Sequence, residues 1–183
     1  MLYRTLFKSF FFAIILFFST GFAFGAVTPL NNFDAKKYLG TWYEIARIPF
    51  HFEKGCVAPI TANYTTDADN PAVIVVTNTC HQADGSSKSA QGKAYFVDDP
   101  SIAKLEVTFL PQWLHWVPFT YGDYWVLYTD YTGYALVGSP NHAYLWILAR
   151  SEKTNQKAIK HLLAIATEQG FDIQQLTFNY PIH

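Results

Sequence analysis

Between Gly40 and Ala149 turn residues cut the chain into eight short segments rich in β-branched and aromatic side chains. They run over Gly40–Ile48, Ala58–Thr66, Ala72–Thr79, Gly92–Val97, Lys104–Leu110, Asp123–Thr129, Gly133–Gly138 and Ala143–Ala149. Lys104–Leu110 alternates most clearly, with Leu105, Val107 and Phe109 on one face and Glu106 and Thr108 on the other. Period-two alternation means one buried face and one wet face. Short strands at near-even spacing predict an antiparallel sandwich or barrel. Pro59 cannot donate to a ladder, so a bulge is expected inside the second strand. Asn31–Leu39 reads as a helical turn in which Phe33 and Tyr38 cap one end of the sheet.

One longer helix follows, with Thr154 as its cap, Ile159, Leu162, Leu163 and Ala166 at helical spacing, and Gly170 at its end. A filled barrel has no room for that apolar stripe, so the helix belongs outside. Phe171–Asn179 reads as a short ninth strand. The fold class expected from the pattern is all-β, an antiparallel sandwich or barrel with one C-terminal helix.

The start of the chain reads as a signal peptide over residues 1–25, followed by a single domain over 26–183. Arg4 and Lys8 precede the apolar run Phe10–Phe18, and Ala23-Phe24-Gly25 offers small residues for cleavage. The run is short for a membrane span. The expected location is the periplasm or the outside of the cell, with peripheral contact to an outer membrane open. No cysteine follows the run, so no lipid anchor is expected. Cys56 and Cys80 make an even count in an exported chain, and folding the hairpin around Asp67–Pro71 brings them together, which predicts a disulfide.

Net charge is −1, which gives no basic field for nucleic acid. The unusual quantity is an aromatic content of 18%. Trp, Tyr and Phe in such numbers suit the lining of an apolar pocket as well as a core. His51, His81, His115, His142, His161 and His183 lack metal-ligand spacing, and no serine elbow, P-loop or dinucleotide fingerprint occurs. No metal, no cofactor and no enzyme activity are expected. Glu44 falls on the face of Trp42, where a buried partner is expected for its carboxylate.

Gly40-Thr41-Trp42, then Thr129-Asp130-Tyr131, then Arg150 after a strand and before one helix, resembles the lipocalins. The stretches NNFDAKKYLGTWYEIARIP, FEKGC, GDYWVLYTDY, YALVGSP and YLWILAR are similar to the bacterial lipocalin, plant temperature-induced lipocalin and apolipoprotein D branch. The resemblance implies an all-β fold, an eight-stranded antiparallel up-and-down barrel with one C-terminal helix packed outside, closed at the end of Gly40, Trp42, Thr129, Asp130, Tyr131 and Arg150, with the Arg150 guanidinium over the Trp42 ring.

The other end would open for a small hydrophobic ligand. Parity from Arg150 points Tyr144 and Trp146 inward. Similarity to the branch implies Trp125, with Leu127 on its face, and adds Tyr64 and Asn78. Leu105, Val107 and Phe109 complete the expected wall. The open-end loop Pro111–Gly122 carries Trp113, Trp116 and Phe119, which suit a lid, a homodimer surface or a membrane contact. The function expected is an exported carrier of a fatty acid, lysophospholipid or phospholipid. The alternatives are a membrane-associated stress or structural protein and, from a third class, a lipid isomerase or de-epoxidase.

Overall fold

The computed structural model describes residues 25–114, 117 and 120–182, with the backbone only at Phe52 and Gln112. The expected signal peptide, residues 1–25, lies outside the described residues except for Gly25, and so do Trp116 and Phe119 of the open-end loop.

Among the described residues nine strands form one sheet: β1 (Gly40–Arg47), β2 (Cys56–Thr66), β3 (Ile74–Gln82), β4 (Ser87–Phe96), β5 (Lys104–Thr108), β6 (Gly122–Thr129), β7 (Tyr134–Gly138), β8 (Leu145–Ala149) and β9 (Thr177–Phe178). Each of the first eight pairs with its neighbour, and β1 pairs with both β2 and β8, so the sheet closes into an antiparallel barrel. The short β9 lies beside β1 on the outside, at Ala46 and Arg47. Closure removes free edges, which is why a chain of short half-wet strands adopts it.

Pro59 sits in a register shift between Val57 and Ile60. The shift accommodates a residue without an N–H. Strand β4 begins at Ser87, five residues before the expected Gly92, since its polar first half pairs fully with β3. Backbone pairing there outweighs the poor strand propensity of Ser and Lys. Cys56 and Cys80 are joined, with Cα atoms 5.5 Å apart.

Among the described residues two α-helices flank the barrel. The short α1 (Ala35–Tyr38) is capped by Asp34, whose carboxylate accepts from the Lys36 and Lys37 N–H groups. The longer α2 (Gln156–Glu168) buries Ile159, Leu162 and Ala166 against the outer face of the barrel. Its cap is Asn155, one residue after the expected Thr154: Asn155 Oδ1 accepts from the Lys157 and Ala158 N–H groups at 2.9 and 3.2 Å. Thr154 is buried and turns its hydroxyl to the Pro181 carbonyl instead.

Two separate apolar cores result. One lies between wall and helix, with Ile45, Leu136, Leu145, Ile147, Ile159 and Phe171. The other fills the barrel, with Tyr38, Trp42, Tyr64, Val76, Leu105, Val126 and Leu148.

Candidate functional site

The closed end is built on Trp42, which has no solvent exposure. Its indole N–H donates to the Tyr38 carbonyl at 2.8 Å. The Arg150 guanidinium carbon lies 3.7 Å from the ring centre. The same guanidinium donates to five carbonyls: Tyr131, Thr41, Lys37, Tyr38 and Leu39, at 2.9–3.2 Å. Three of these belong to the end of α1, where helix carbonyls lack partners. Asp130 Oδ1 accepts from the N–H groups of Thr132, Gly133 and Tyr134, and so ties the β6–β7 turn. Thr129 Oγ1 accepts from the Tyr131 N–H. Gly40 holds φ +96°, and an added Cβ would meet an Arg150 nitrogen at 3.3 Å. This end is sealed.

Above the floor stands a layer of three tyrosines. The Tyr124 hydroxyl lies 2.9 Å from that of Tyr38 and 2.6 Å from that of Tyr64. Burial pushes all three hydroxyls above the usual phenol range, so they stay protonated and serve as neutral donors and acceptors. The free space among them, lined also by Phe33, Leu105 and Val126, is about 10 Å³, room for one water at most.

The next layer is ionic. A bulge between Glu44 and Ala46 in β1 lets Arg47 share the inner face with Glu44. Both are buried, at 8% and 4% exposure. Arg47 Nη1 donates to Glu44 Oε1 and to Asn179 Oδ1, and Asn179 Nδ2 donates to the same Glu44 oxygen at 2.8 Å. From the β1–β2 loop, Glu53 brings Oε2 to 2.8 Å from Arg47 Nε. The N–H points off that line, and neither atom completes a hydrogen bond among the described residues. Burial first, then the charge of Glu44, raises the Glu53 carboxyl to about 8, against the pull of Arg47. Beside this group the loop borders an open surface hollow of about 370 Å³, lined by Arg47, Phe50, His51, Glu53 and Lys54 among others.

The mouth is aromatic. Tyr144 stacks on Trp146 with ring centres 5.7 Å apart. Phe50 of the β1–β2 loop meets both rings edge-on at 5.6 Å, and Tyr124 reaches Trp146 from below at 6.5 Å.

Of the residues expected to line the lumen, Tyr64, Leu105, Val107 and Trp146 belong to the inner core. Tyr144 joins Trp146 at the mouth. Asn78 has the parity of Val76 and Ile74, which are inner residues, and it sits opposite Ala62. Phe109 lies past the end of β5 at the rim, 43% exposed, where its ring leaves no room for a Cβ on Gly92.

Trp125 and Leu127 require a correction. Both belong to the outer core under the helix and the C-terminal segment. Leu127 contacts the space above Gly138 together with Phe171, and Trp125 lies under the Lys104 ammonium at 5.3 Å. Tyr124 and Val126 take the inner positions instead. The reason is that β6 is covered on both faces, so Asp123–Thr129 carries apolar residues at both parities and alternation cannot choose between them. Glu53, Phe50 and Tyr124 were missed at the sequence level. Phe50 and Glu53 lie in the β1–β2 loop, and Tyr124 lies on β6, whose two faces are both covered.

At the open end Trp113 is 72% exposed, with Phe109 and Leu110 also at the surface. No helix among the described residues is long and apolar enough to cross a membrane.

Comparisons with known proteins agree with this geometry. Residues 33–181 match the family model described as a lipocalin-like domain. Outer membrane lipoprotein Blc of Citrobacter freundii is 43% identical over 152 residues, covering 82% of this chain and 80% of that protein. Apolipoprotein D of Mus musculus is 39% identical over 154 residues, covering 80% and 76%. Among solved structures, insecticyanin from the tobacco hornworm Manduca sexta shares the fold with a TM-score of 0.66 at 24% identity, covering 84% of this chain and 83% of that one. A barrel sealed at one end by Trp42 and Arg150 and flanked by one C-terminal helix, together with these matches, makes the chain a member of the lipocalin family.

Proposed function

We propose that the chain is an exported carrier of a single lipid, with a fatty acid, lysophospholipid or phospholipid as the ligand class. The observation that carries this reading is the aromatic mouth: Trp146, Tyr144 and Tyr124 converge at the open end of a barrel whose other end is sealed. An eight-stranded barrel has room for one small ligand. The tyrosine layer blocks the lower half, so an acyl chain would displace Phe50 and lie against Trp146 and Tyr144. Each buried CH₂ contributes about 0.8 kcal/mol, reduced by the cost of ordering the chain. The leader pattern and the relative called an outer membrane lipoprotein support export. Titration of the purified protein with oleate, followed by tryptophan fluorescence, tests the reading. Trp146→Phe should remove most of the ligand-induced change, and Trp125→Phe should leave it. The reverse pattern, or no saturable change, would sink the proposal.

A second reading, action at a membrane surface, is favoured by one observation, the exposure of Trp113 beside Phe109 and Leu110. Trp prefers the bilayer interface. The two readings combine if the open end takes its ligand from a membrane.

A further inference from the structure

Resting on the carrier reading, the geometry points to a head-group site: the Nε and Nη2 edge of Arg47, now occupied by Glu53, binds the carboxylate of a long-chain acid at the mouth of the barrel. Arg47 is nine-tenths buried at its side chain and has its Nη1 committed to Glu44 and Asn179. Glu44 neutralises the guanidinium, and Asn179 fixes Glu44 in turn. What is left is the planar pair of N–H groups on the opposite edge, the shape that takes a carboxylate through two parallel hydrogen bonds.

Glu53 stands at that edge with its Oε2 unbonded to Arg47, while its carboxyl also interacts with that of Glu44. Its Oε2 is 2.8 Å from Nε but out of line, so a buried donor and a buried acceptor both go unsatisfied. Buried polar atoms without partners are uncommon and costly. A side chain held on a loop cannot align as a free carboxylate can. A ligand carboxylate at the same place would satisfy both N–H groups and release Glu53 toward solvent. The hollow beside it, about 370 Å³ and open to solvent, gives a carboxylate a way in and borders Phe50, the ring that covers Trp146. Head group and acyl chain thus have adjoining places. The carboxylate replaces Glu53, and the chain replaces Phe50. Both residues belong to the one loop between β1 and β2, so a single loop movement admits both parts of the ligand.

The test compares dodecanoate with methyl dodecanoate on the full mature protein, by tryptophan-quenching titration. Wild-type protein should bind the acid about tenfold or more tightly than the ester, the gain expected of hydrogen bonds to a charged group. Arg47→Lys keeps the charge beside Glu44 but removes the planar edge, and should bring the two affinities to within about twofold. Glu53→Ala should tighten binding of the acid and leave the ester unchanged. Equal affinity for acid and ester in wild-type protein overturns the head-group site while leaving the carrier reading standing. Binding of neither overturns the carrier reading, and this inference with it. Should Arg47→Lys fail to fold, the wild-type comparison and Glu53→Ala decide the matter.

Discussion

Trp42 shows how one side chain closes a barrel. It fills the floor, gives its only polar atom to Tyr38 and offers a π face to Arg150. Removing the ring leaves a large cavity under a charge, so Trp42→Ala should cost about 3–5 kcal/mol, measured by urea unfolding. Glu53 poses the opposite case, a residue that the fold tolerates. Its carboxyl sits at about 8 in the folded protein, above the ordinary 4.5. Between these values the folded state holds a proton that the unfolded state has released, so stability falls as pH rises through this window and levels off above it. Glu53→Gln should therefore leave the melting temperature near pH 4 little changed and raise it above wild type at pH 9. A constant difference across that range would rule out Glu53 as the source. At this scale the sequence was readable where a residue's chemistry is unusual. Trp after Gly, and Arg after an apolar strand, indicated a contact that the structure contains. It was unreadable for Arg47 and Glu53, whose meeting depends on a bulge and a loop conformation.

Elements divide in the same way. Strand existence was legible, because apolar content and turn residues mark it. Strand parity was legible for β5, where Leu105 and Val107 face inward as the alternation predicts although Thr108 on the other face is buried, but not for β6, which is covered on both sides. The bulge in β1 rotates Arg47 inward, and nothing in Tyr43-Glu44-Ile45-Ala46-Arg47 announces it. The helix α2 was legible to within one residue of its cap. Asn155→Ala should lower stability by about 1 kcal/mol, and Thr154→Ala should act through burial rather than capping; thermal unfolding of both separates the two. The open-end loop belongs here too. If Trp113 enters a bilayer interface, Trp113→Ser should slow ligand transfer from vesicles without changing affinity for ligand in solution, and unchanged transfer kinetics would exclude the contact.

For the whole molecule, the disulfide joins the start of β2 to the upper part of β3 at the open end. It cross-links residues 24 apart, so replacing both cysteines with serine should lower stability by about 3 kcal/mol in the chain-entropy model, read from chemical denaturation under non-reducing conditions. Pattern alone narrowed the chain to an antiparallel sandwich or barrel, and the family resemblance chose the barrel. Eight short segments, a helix whose stripe needed an outer wall, and paired cysteines on one hairpin allowed few other arrangements, since hydrophobic periodicity and turn chemistry are local properties of the chain. The interior was decided only by tertiary structure. Whether an aromatic ring faces the lumen or the helix depends on register, and register depends on all neighbouring strands at once. That is why Trp125 lies outside and Tyr124 inside. It is also why the lower barrel is filled by three tyrosines, and why an open hollow lies in the β1–β2 loop beside Arg47 and Phe50.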